Sequence, residues 1–267
     1  MDAFSFTKDQ MIDVLKYTKN KKLDFGCTTE DIAGAEFLLS IGVDFIKVAS
    51  SDCTNIALIN FLSTIDCPVL LSTGMATFEE IETAYKLLNN GTNNHFALLH
   101  CVSVYPPDSS IINLKFIETL KSQFSCPIGY SDHTLGISIT LASIAVGAVI
   151  IEKHFTLDKS LPGWDHSVSA NPQELTNICN ESKEVYKSLG SHNKNSSSVE
   201  LSKIPILRKS VTANRFIKSG EKLTFKDICF KRPGDGIPSN KIYNIIGSTF
   251  LEDVCEDETI YWHHIKK

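Results

Sequence analysis

The sequence has 267 residues, of which 42% are hydrophobic and 21% charged, and this composition excludes a disordered or low-complexity chain. Its formal net charge of −5 argues against nucleic acid or an anionic membrane as a partner, and its apolar runs are too short to cross a bilayer. Because the N-terminus lacks a signal-peptide pattern and the eight cysteines include no CxxC pair, we expect a protein of the reducing cytoplasm.

Short apolar runs alternate with amphipathic segments through the first two thirds of the chain. The runs lack a polar–apolar alternation, which is typical of parallel strands buried on both faces. Repeated βα units of this kind predict an α/β fold, either doubly wound or a barrel. The predicted strands are 23–27, 45–49, 69–72, 96–101, 128–131 and 149–153. The predicted helices are 29–41, 55–65, 77–89, 112–123 and 137–145.

Polar residues stand at the end of every predicted strand. In both α/β architectures the carboxyl ends of the strands carry the functional site. This regularity favours a barrel and marks the positions from which a site could be built. They are 28, 50–52, 72–73, 100–103, 131–133 and 154.

The pattern changes after residue 154. A loop is predicted for 155–170, and Asn171 and Pro172 then provide the cap and first turn of a helix that ends at residue 189. The remainder contains short β-like runs separated by turns, at 210–213, 228–231, 249–251 and 260–262. Three parts are therefore predicted: a βα domain of 1–190, a polar linker of 191–204 and a small β-rich domain of 205–267.

Two histidines end neighbouring strands, His133 in GYSDHT and His154 in IEKHFT. Imidazoles at adjacent strand ends of a barrel face the same mouth and could share a divalent metal ion. The alternative is that each is a hydrogen-bonded loop histidine. Alternation along the second strand puts Glu152 on the face of His154 and Lys153 on the opposite one, which makes Lys153 a poor Schiff-base candidate.

Lys47 lies in the otherwise apolar strand DFIKVAS, where an unpaired ammonium would be costly. It therefore either pairs with a carboxylate or binds an anion at the mouth of the barrel. Hydroxyl groups at neighbouring strand ends would complete a phosphate or carboxylate site, although a structural lysine explains Lys47 equally well. The candidate hydroxyls are those of Thr28, Ser50, Ser72 and Ser131.

Further polar residues carry weaker signals. His100 and Cys101 are adjacent on one strand and face opposite sides, which excludes them as a base–nucleophile pair. Asp165 could reach over the mouth from its loop, although ordinary loop polarity also explains it. The segment KRPGDGI at 231–237 places positive charge beside a glycine turn, which suits an anion or an exposed hairpin. The histidines at 263 and 264 are expected at the surface.

Six motifs occur in the same order as in a known enzyme family. They are FIKVASSD, LLSTGM, LLHCVSVYP, GYSDHTLG, IEKHFTLD and KRPGDGI. Together they resemble the sialic acid synthase family, which includes N-acetylneuraminate synthases and their legionaminate, pseudaminate and spore-coat polysaccharide relatives. The resemblance extends over nearly the whole chain from about residue 23.

The resemblance implies a TIM (β/α)8-type barrel followed by a small antifreeze-like (SAF) domain of the β-clip type. It also implies condensation of phosphoenolpyruvate with an N-acylated mannosamine-type sugar. This reaction releases phosphate and yields a nine-carbon 2-keto acid of the sialic acid type. A divalent cation, Mn2+ or Mg2+, would be held by His133 and His154 and would polarise the sugar aldehyde.

The same resemblance implies roles for individual residues. Ser103, Tyr105 and Asp165 would face the sugar. Asp52 stands where the family has a catalytic glutamate. Arg232 matches an arginine that reaches the site of the partner subunit, which implies a domain-swapped homodimer. Phosphoenolpyruvate would be bound by Thr28, Lys47, Ser50, Ser72 and Ser131.

The chain departs from the family pattern mainly at its front. The family's first two strands carry Ala-Glu-Ile-Gly, Asn-His, a lysine and a glutamine, and these motifs have no counterpart here. We therefore expect a barrel without its first two βα units, because residues 1–20 match only the helix before the third family strand. Asp52 is one methylene shorter than the family's glutamate, and Cys27-Thr28-Thr29-Glu30 replaces the usual Ser-Thr-Pro-Phe around Thr28. The GWDHS loop also differs from that of plain N-acetylneuraminate synthases, which leaves the acceptor open among N-acetylmannosamine, its 6-phosphate and diacetamido relatives.

Three hypotheses follow for the function. The chain is an active synthase whose missing strands come from another polypeptide or from an upstream start, or it is a truncated, non-catalytic member that binds substrate or a partner synthase. The motifs are the same under both hypotheses. The third, a Schiff-base aldolase using Lys47, is disfavoured because it leaves the histidine pair unexplained.

Overall fold

The structure is a computed structural model that describes residues 6–93 and 95–267. It contains two compact units, Met1–Gly190 and Ser191–Lys267. Residues 1–5 of the predicted N-terminal segment, and Asn94, lie outside the described residues. Within the described ranges, no helix combines the length and the apolar character needed to cross a membrane.

Six parallel strands form the centre of the first unit, and each pairs with the strand before it in the chain. They are β1 (Gly26–Thr28), β2 (Phe45–Val48), β3 (Val69–Ser72), β4 (Phe96–Cys101), β5 (Ile128–Asp132) and β6 (Ile150–Lys153). The predicted α/β class is confirmed. Unbroken chain order is the arrangement of consecutive βα units in a barrel, because a doubly wound sheet reverses its order. Among the described strands, β1 and β6 each have one neighbour only.

Helices connect these strands, and side-chain caps set where two of them begin. The carboxylate of Asp31 and the amide oxygen of Asn55 accept backbone N–H bonds from the first turns of the two helices that follow them. Both helices therefore begin after these caps, later than predicted. The helices are α1 (Lys8–Asn20), α2 (Ile32–Ile41), α3 (Ile56–Leu62), α4 (Phe78–Asn90), α5 (Phe116–Gln123), α6 (Ser138–Ala145) and α7 (Pro172–Leu189).

The first strand is shorter than predicted and begins three residues later. Leu23 is exposed, and the backbone N–H of Phe25 donates to the carboxylate of Asp44 instead of to a neighbouring strand. Strand pairing starts only at Gly26, whose partner is Phe45. The remaining five strands lie within one residue of their predicted bounds.

The two faces of the sheet differ in chemistry because side chains alternate along each strand. One face packs against the helices and forms the main core, with buried residues such as Ile46, Leu71, Leu98 and Tyr130. Residues one position further along each strand point to the opposite face. That face contains most of the polar residues near the strand ends.

The second unit has its own core around two antiparallel ribbons. The strands are β7 (Ser210–Ala213) with β8 (Ile228–Lys231), and β9 (Thr249–Phe250) with β10 (Ile265–Lys266). Short helices α8 (Ser198–Leu201), α9 (Ile204–Leu207) and α10 (Ile242–Ile245) complete it. Helix α8 and the start of α9 lie in the segment 191–204, so this predicted linker is partly helical.

The strand predicted at 260–262 is absent. Ile260 makes single backbone bonds with Val211 and Ile237 on either side, and the chain then turns through a 3-10 helix at Trp262–His264. The apolar run is therefore explained by burial of Ile260 in the core and not by a strand.

Candidate active site

Polar residues near the ends of several strands line one cavity of about 530 Å³. Parallel register pairs Thr28 with Lys47, and it pairs Ser131 with both Cys101 and Glu152. Because aligned residues of neighbouring strands share a face, their side chains converge. The cavity lies at the carboxyl end of the sheet, where barrel enzymes hold their substrates.

Nine of the twelve predicted site residues line this cavity. The structure therefore brings together side chains from four of the strands and from the segments that follow β2, β4, β5 and β6. The roles assigned to these residues stay predictions. They are Thr28, Lys47, Ser50, Ser72, Ser103, Tyr105, Ser131, His133 and His154.

Lys47 places an ammonium group in the cavity, and its side chain is 10% exposed. Its ammonium lies 3.7 Å from Oε2 of Glu152 and donates to the carbonyl of Val48 at 2.9 Å. Burial lowers the pKa of Lys47, and the charge of Glu152 opposes this shift. The hydroxyl of Ser72 donates to the same carboxylate oxygen at 3.4 Å. A cation, a carboxylate and a hydroxyl thus meet at one side of the cavity.

The two predicted metal ligands lie side by side, and an aromatic ring packs against both. The ring centroids of His133 and His154 are 5.1 Å apart, and the ring of Tyr105 lies 4.2 Å from His133 and 5.9 Å from His154. Burial, and then the neighbouring His154, lower the pKa of His133 to about 4. His133 is therefore a neutral imidazole near neutral pH, the form that binds metal ions.

Hydroxyl and thiol groups occupy the cavity between these two sides. The N–H of Gly74 donates to Oγ of Ser50 at 3.0 Å, and an added Cβ at Gly74 would lie 2.3 Å from Oγ of Ser103. A larger residue at position 74 would therefore require these side chains to shift. The sulfur of Cys101 lies 3.9 Å from Oγ of Ser103 and 3.9 Å from Nδ1 of His133.

His100 and Cys101 face opposite sides, as alternation predicts. Nε2 of His100 lies 2.7 Å from the carbonyl of Ile112, on the helix side of the sheet. The sulfur of Cys101 instead approaches His133 from a strand neighbour. The histidine that faces the thiol of Cys101 is therefore His133, 32 residues away in the chain. The sequence order along β4 could not predict this contact.

Three predicted site residues are absent from the lining of the cavity. Asp52 lies in a 3-10 turn, where its carboxylate accepts hydrogen bonds from Ser51 and Asn55 at 3.0 Å each. Asp165 is exposed in its loop, and its charge adds to the effect of burial in raising the pKa of Tyr105. Arg232 belongs to the second unit, where Nε donates to the carbonyl of Leu207 at 2.9 Å.

The predicted site omits Glu152 and Cys101, whose carboxylate and thiol line the cavity, and Ser51 and Lys153, which also border it. Alternation along β6 already indicated that Glu152 shares the face of His154. The pairing of Glu152 with Lys47 needed the neighbouring strands, because the two residues lie on β6 and β2. Lys153 points the other way and bonds to Asp132, in agreement with the predicted alternation.

Comparison with known proteins gives consistent matches over both units. A model of the NeuB family matches residues 1–194, and a model of the SAF domain matches residues 208–266. The N,N'-diacetyllegionaminic acid synthase of Legionella pneumophila is 37% identical over 91% of this chain and 70% of its own. The human N-acetylneuraminate-9-phosphate synthase is 34% identical over 96% of this chain and 71% of its own.

Solved structures include the N-acetylneuraminic acid (sialic acid) synthetase of Leptospira borgpetersenii in complex with citrate. It matches with a TM-score of 0.71 and 39% identity, over 75% of this chain and 70% of its own. The predicted resemblance to sialic acid synthases is thereby confirmed. The six-stranded sheet corresponds to part of a synthase barrel, and the second unit corresponds to the SAF domain.

Proposed function

The chain belongs to the NeuB family, and from this we infer that it serves the condensation of phosphoenolpyruvate with an N-acylated mannosamine-type sugar. The product would be a nine-carbon 2-keto acid of the sialic acid type, and inorganic phosphate would be released. One observation carries the proposal: a buried cation, several hydroxyls and a pair of adjacent histidines, one buried and one half-buried, line the same cavity.

The side of the cavity at Lys47 suits phosphoenolpyruvate. Its phosphate and carboxylate need cationic and hydroxyl donors, and buried donors of this kind gain strength from the low local dielectric. Lys47 supplies the cation, and its link to Glu152 keeps the ammonium oriented until the anion arrives. The hydroxyl donors assigned to the same ligand are those of Thr28, Ser50, Ser72 and Ser131.

The histidine side of the cavity suits a divalent metal ion and the sugar. Two imidazoles facing one cavity are donors for Mn2+ or Mg2+ when water or substrate oxygens complete the coordination. The neutral state of His133 fits this use. When bound there, the ion would polarise the sugar aldehyde. Tyr105, Ser103 and Asp165 would then orient the sugar.

In the proposed reaction, bonds form and break only among the two substrates and water, and the protein forms no covalent bond with them. The new bond forms between C3 of phosphoenolpyruvate and the aldehyde carbon, water adds to C2, and the C2–O bond to phosphate breaks. Lys47 and the hydroxyls hold the charges of phosphate and carboxylate throughout. Asp52, which the resemblance assigns to catalysis, lies in the turn after β2 with its carboxylate bonded to Ser51 and Asn55.

Among the strands that the structure describes, β1 and β6 each pair on one side only, which bears on whether the chain acts alone. Unpaired strand edges are prone to pair with other chains, so we propose that two further βα units close the barrel in the active form. A second subunit would then provide Arg232, in a domain-swapped homodimer. The alternative is a non-catalytic member that binds substrate or a partner synthase through the same cavity.

The direct test measures phosphate release from phosphoenolpyruvate and identifies the keto acid by mass spectrometry. The acceptors are N-acetylmannosamine, its 6-phosphate and a 2,4-diacetamido sugar, each with Mn2+, with Mg2+ and with a chelator. We expect metal-dependent product with one acceptor when further polypeptide completes the sheet, and little from the 267-residue chain alone. Binding of phosphoenolpyruvate without turnover under every condition would support the non-catalytic alternative.

Borohydride reduction distinguishes the synthase from a Schiff-base aldolase. A Lys47 aldolase would be trapped covalently by its keto acid, with a mass increase on the peptide that contains Lys47. A synthase forms no imine, so we expect no such adduct.

A further inference from the structure

A second group of metal-binding residue types lies in the SAF domain, far from the proposed chemistry in sequence. Glu252, His263 and His264 each offer one donor atom, and these three atoms lie within 4.8 Å of one another. In the parts of the chain that the structure describes, this is the one group of three such residues that meets that distance. We propose that these residues, the ribbon cluster, bind one divalent transition-metal ion.

The backbone brings the three residues together before any ion binds. Thr249 and Phe250 of β9 pair with Lys266 and Ile265 of β10, and Glu252 and the two histidines lie just beyond the ends of this ribbon. The N–H of Leu251 also donates to the carbonyl of His264 at 2.8 Å. A site on a paired ribbon loses less entropy on binding than a site on free loops.

The side chains differ in freedom in a way that suits binding. The side chain of His264 is only 7% exposed, whereas those of His263 and Glu252 are 69% and 56% exposed. His264, expected at the surface from sequence, is therefore a fixed ligand beside two movable ones. Nε2 of each histidine lies 3.8 Å from Oε1 of Glu252. An ion with bonds of about 2.1 Å needs donors about 3.0–3.4 Å apart, so the exposed side chains of His263 and Glu252 must rotate closer to His264.

The donor set indicates the class of ion. Two imidazole nitrogens and one carboxylate oxygen suit Zn2+, Co2+, Ni2+ or Cu2+ better than Mg2+ or Ca2+, which prefer oxygen ligands. Three protein ligands leave at least one coordination position for water.

The tautomer of His264 sets one requirement. The N–H of Tyr261 donates to Nδ1 of His264 at 3.4 Å, so in the ion-free ring the proton is on Nε2. Coordination through Nε2 requires the proton on Nδ1 instead, which ends the long hydrogen bond from the N–H of Tyr261. Nδ1–H then needs a carbonyl or water partner, as metal-bound histidines usually have.

The test uses the full chain with His133→Ala and His154→Ala, which removes the metal site proposed in the first unit. Co2+ is titrated into this chelator-treated protein and followed by its visible absorption, with Zn2+ titration by calorimetry in parallel. We expect one ion per chain. Adding Glu252→Gln and His263→Ala should weaken binding at least about tenfold, since even residues behind the ligands contribute tenfold or more.

A matched control is His192→Ala, an exposed histidine of the same unit outside the ribbon cluster. It should leave the affinity unchanged. In the protein that retains His133 and His154, Glu252→Gln with His263→Ala should lower the number of Co2+ ions bound per chain by one. This result does not depend on whether the chain is an active synthase. No Co2+ bound in the His133→Ala and His154→Ala protein, or equal affinity with and without the cluster substitutions, would overturn the proposal.

Discussion

Nζ of Lys153 lies 2.8 Å from Oδ2 of Asp132, and the two side chains are 4% and 0% exposed. These residues are cross-strand partners in the register of β5 and β6, and each immediately precedes one of the histidines of the cavity. Lys153 also donates to the carbonyl of Thr134 at 2.8 Å. The ion pair therefore lies behind the histidine pair and joins the two strands that carry it.

Removing Lys153 should destabilise the protein strongly. Lys153→Met leaves the carboxylate of Asp132 buried without its cation, which costs about 3–5 kcal/mol in comparable cases. Burial opposes the charge on Asp132, and the bonds from Lys153 and Thr140 hold its pKa below its usual value. Urea unfolding followed by circular dichroism measures the loss. Lys187→Met, which breaks an exposed pair with Glu184, should change the free energy of unfolding by less than about 0.5 kcal/mol.

A double substitution separates the charge from the packing. Asp132→Asn together with Lys153→Met removes both charges, and it should be more stable than Lys153→Met alone. If the single and double variants are equally unstable, the ion pair does not explain the loss.

Lys47 should determine the affinity for phosphoenolpyruvate. Lys47→Met removes the buried cation, and hydrogen bonds to charged groups are worth enough that the dissociation constant should rise at least about tenfold. Calorimetric titration measures this without requiring turnover. Lys86→Met, at an exposed pair with Glu82, provides the matched control and should bind phosphoenolpyruvate as the wild type does. Unchanged affinity in Lys47→Met would remove this residue from the anion site.

The histidine pair should determine metal binding in the first unit. His133→Ala or His154→Ala removes one of two imidazole ligands, so Mn2+ affinity should fall at least about tenfold, together with any metal-dependent turnover. Electron paramagnetic resonance of free Mn2+ measures the affinity. The exposed His95 supplies the control, because His95→Ala leaves both imidazoles in place. Equal Mn2+ affinity in all variants would contradict the assignment.

His100 should make stability depend on pH below neutrality. Burial lowers its pKa, and the hydrogen bond to the carbonyl of Ile112 opposes this shift. A histidine with a depressed folded-state pKa binds more protons when unfolded. The stability that depends on neutral His100 is therefore fully present above the unfolded-state pKa of about 6.5. It is lost as the pH falls from that value through the lower pKa of the folded state.

The measurement compares urea unfolding at pH 7 and pH 5.5 in wild type and His100→Gln. The glutamine amide can still donate to Ile112 but does not titrate in this range, so the decrease in stability on acidification should be smaller. His95→Ala should retain the wild-type pH dependence. An identical decrease in His100→Gln would show that other groups account for it.

Much of the first unit could be predicted from local pattern. Parallel strands buried on both faces produce continuous apolar runs, so five of six strands were placed within one residue. The predicted strand bounds were wrong where an apolar run did not mark a strand, at 23–25 and at 260–262. Ile260 is buried in the core of the second unit and makes one backbone hydrogen bond on each side, without forming a strand. Strand β1 starts late because the N–H of Phe25 bonds to the carboxylate of Asp44.

The candidate site was predicted only in part, for a related reason. Alternation along a strand assigns a side chain to a face, and this was enough for Lys47, Glu152 and the histidines. Which side chains then meet depends on strand register and twist. Ser72 and Glu152 share a hydrogen bond although 80 residues separate them in the chain.

The amino-acid sequence alone determined the order of βα units, the polar residues at the strand ends and the resemblance to sialic acid synthases. These features arise from local spacing and residue type. Only the tertiary structure decided that Glu152 accompanies Lys47, that Cys101 faces His133, and that His264 is buried beside Glu252. Such contacts join residues from separate elements, and their distances depend on how the strands pair and pack.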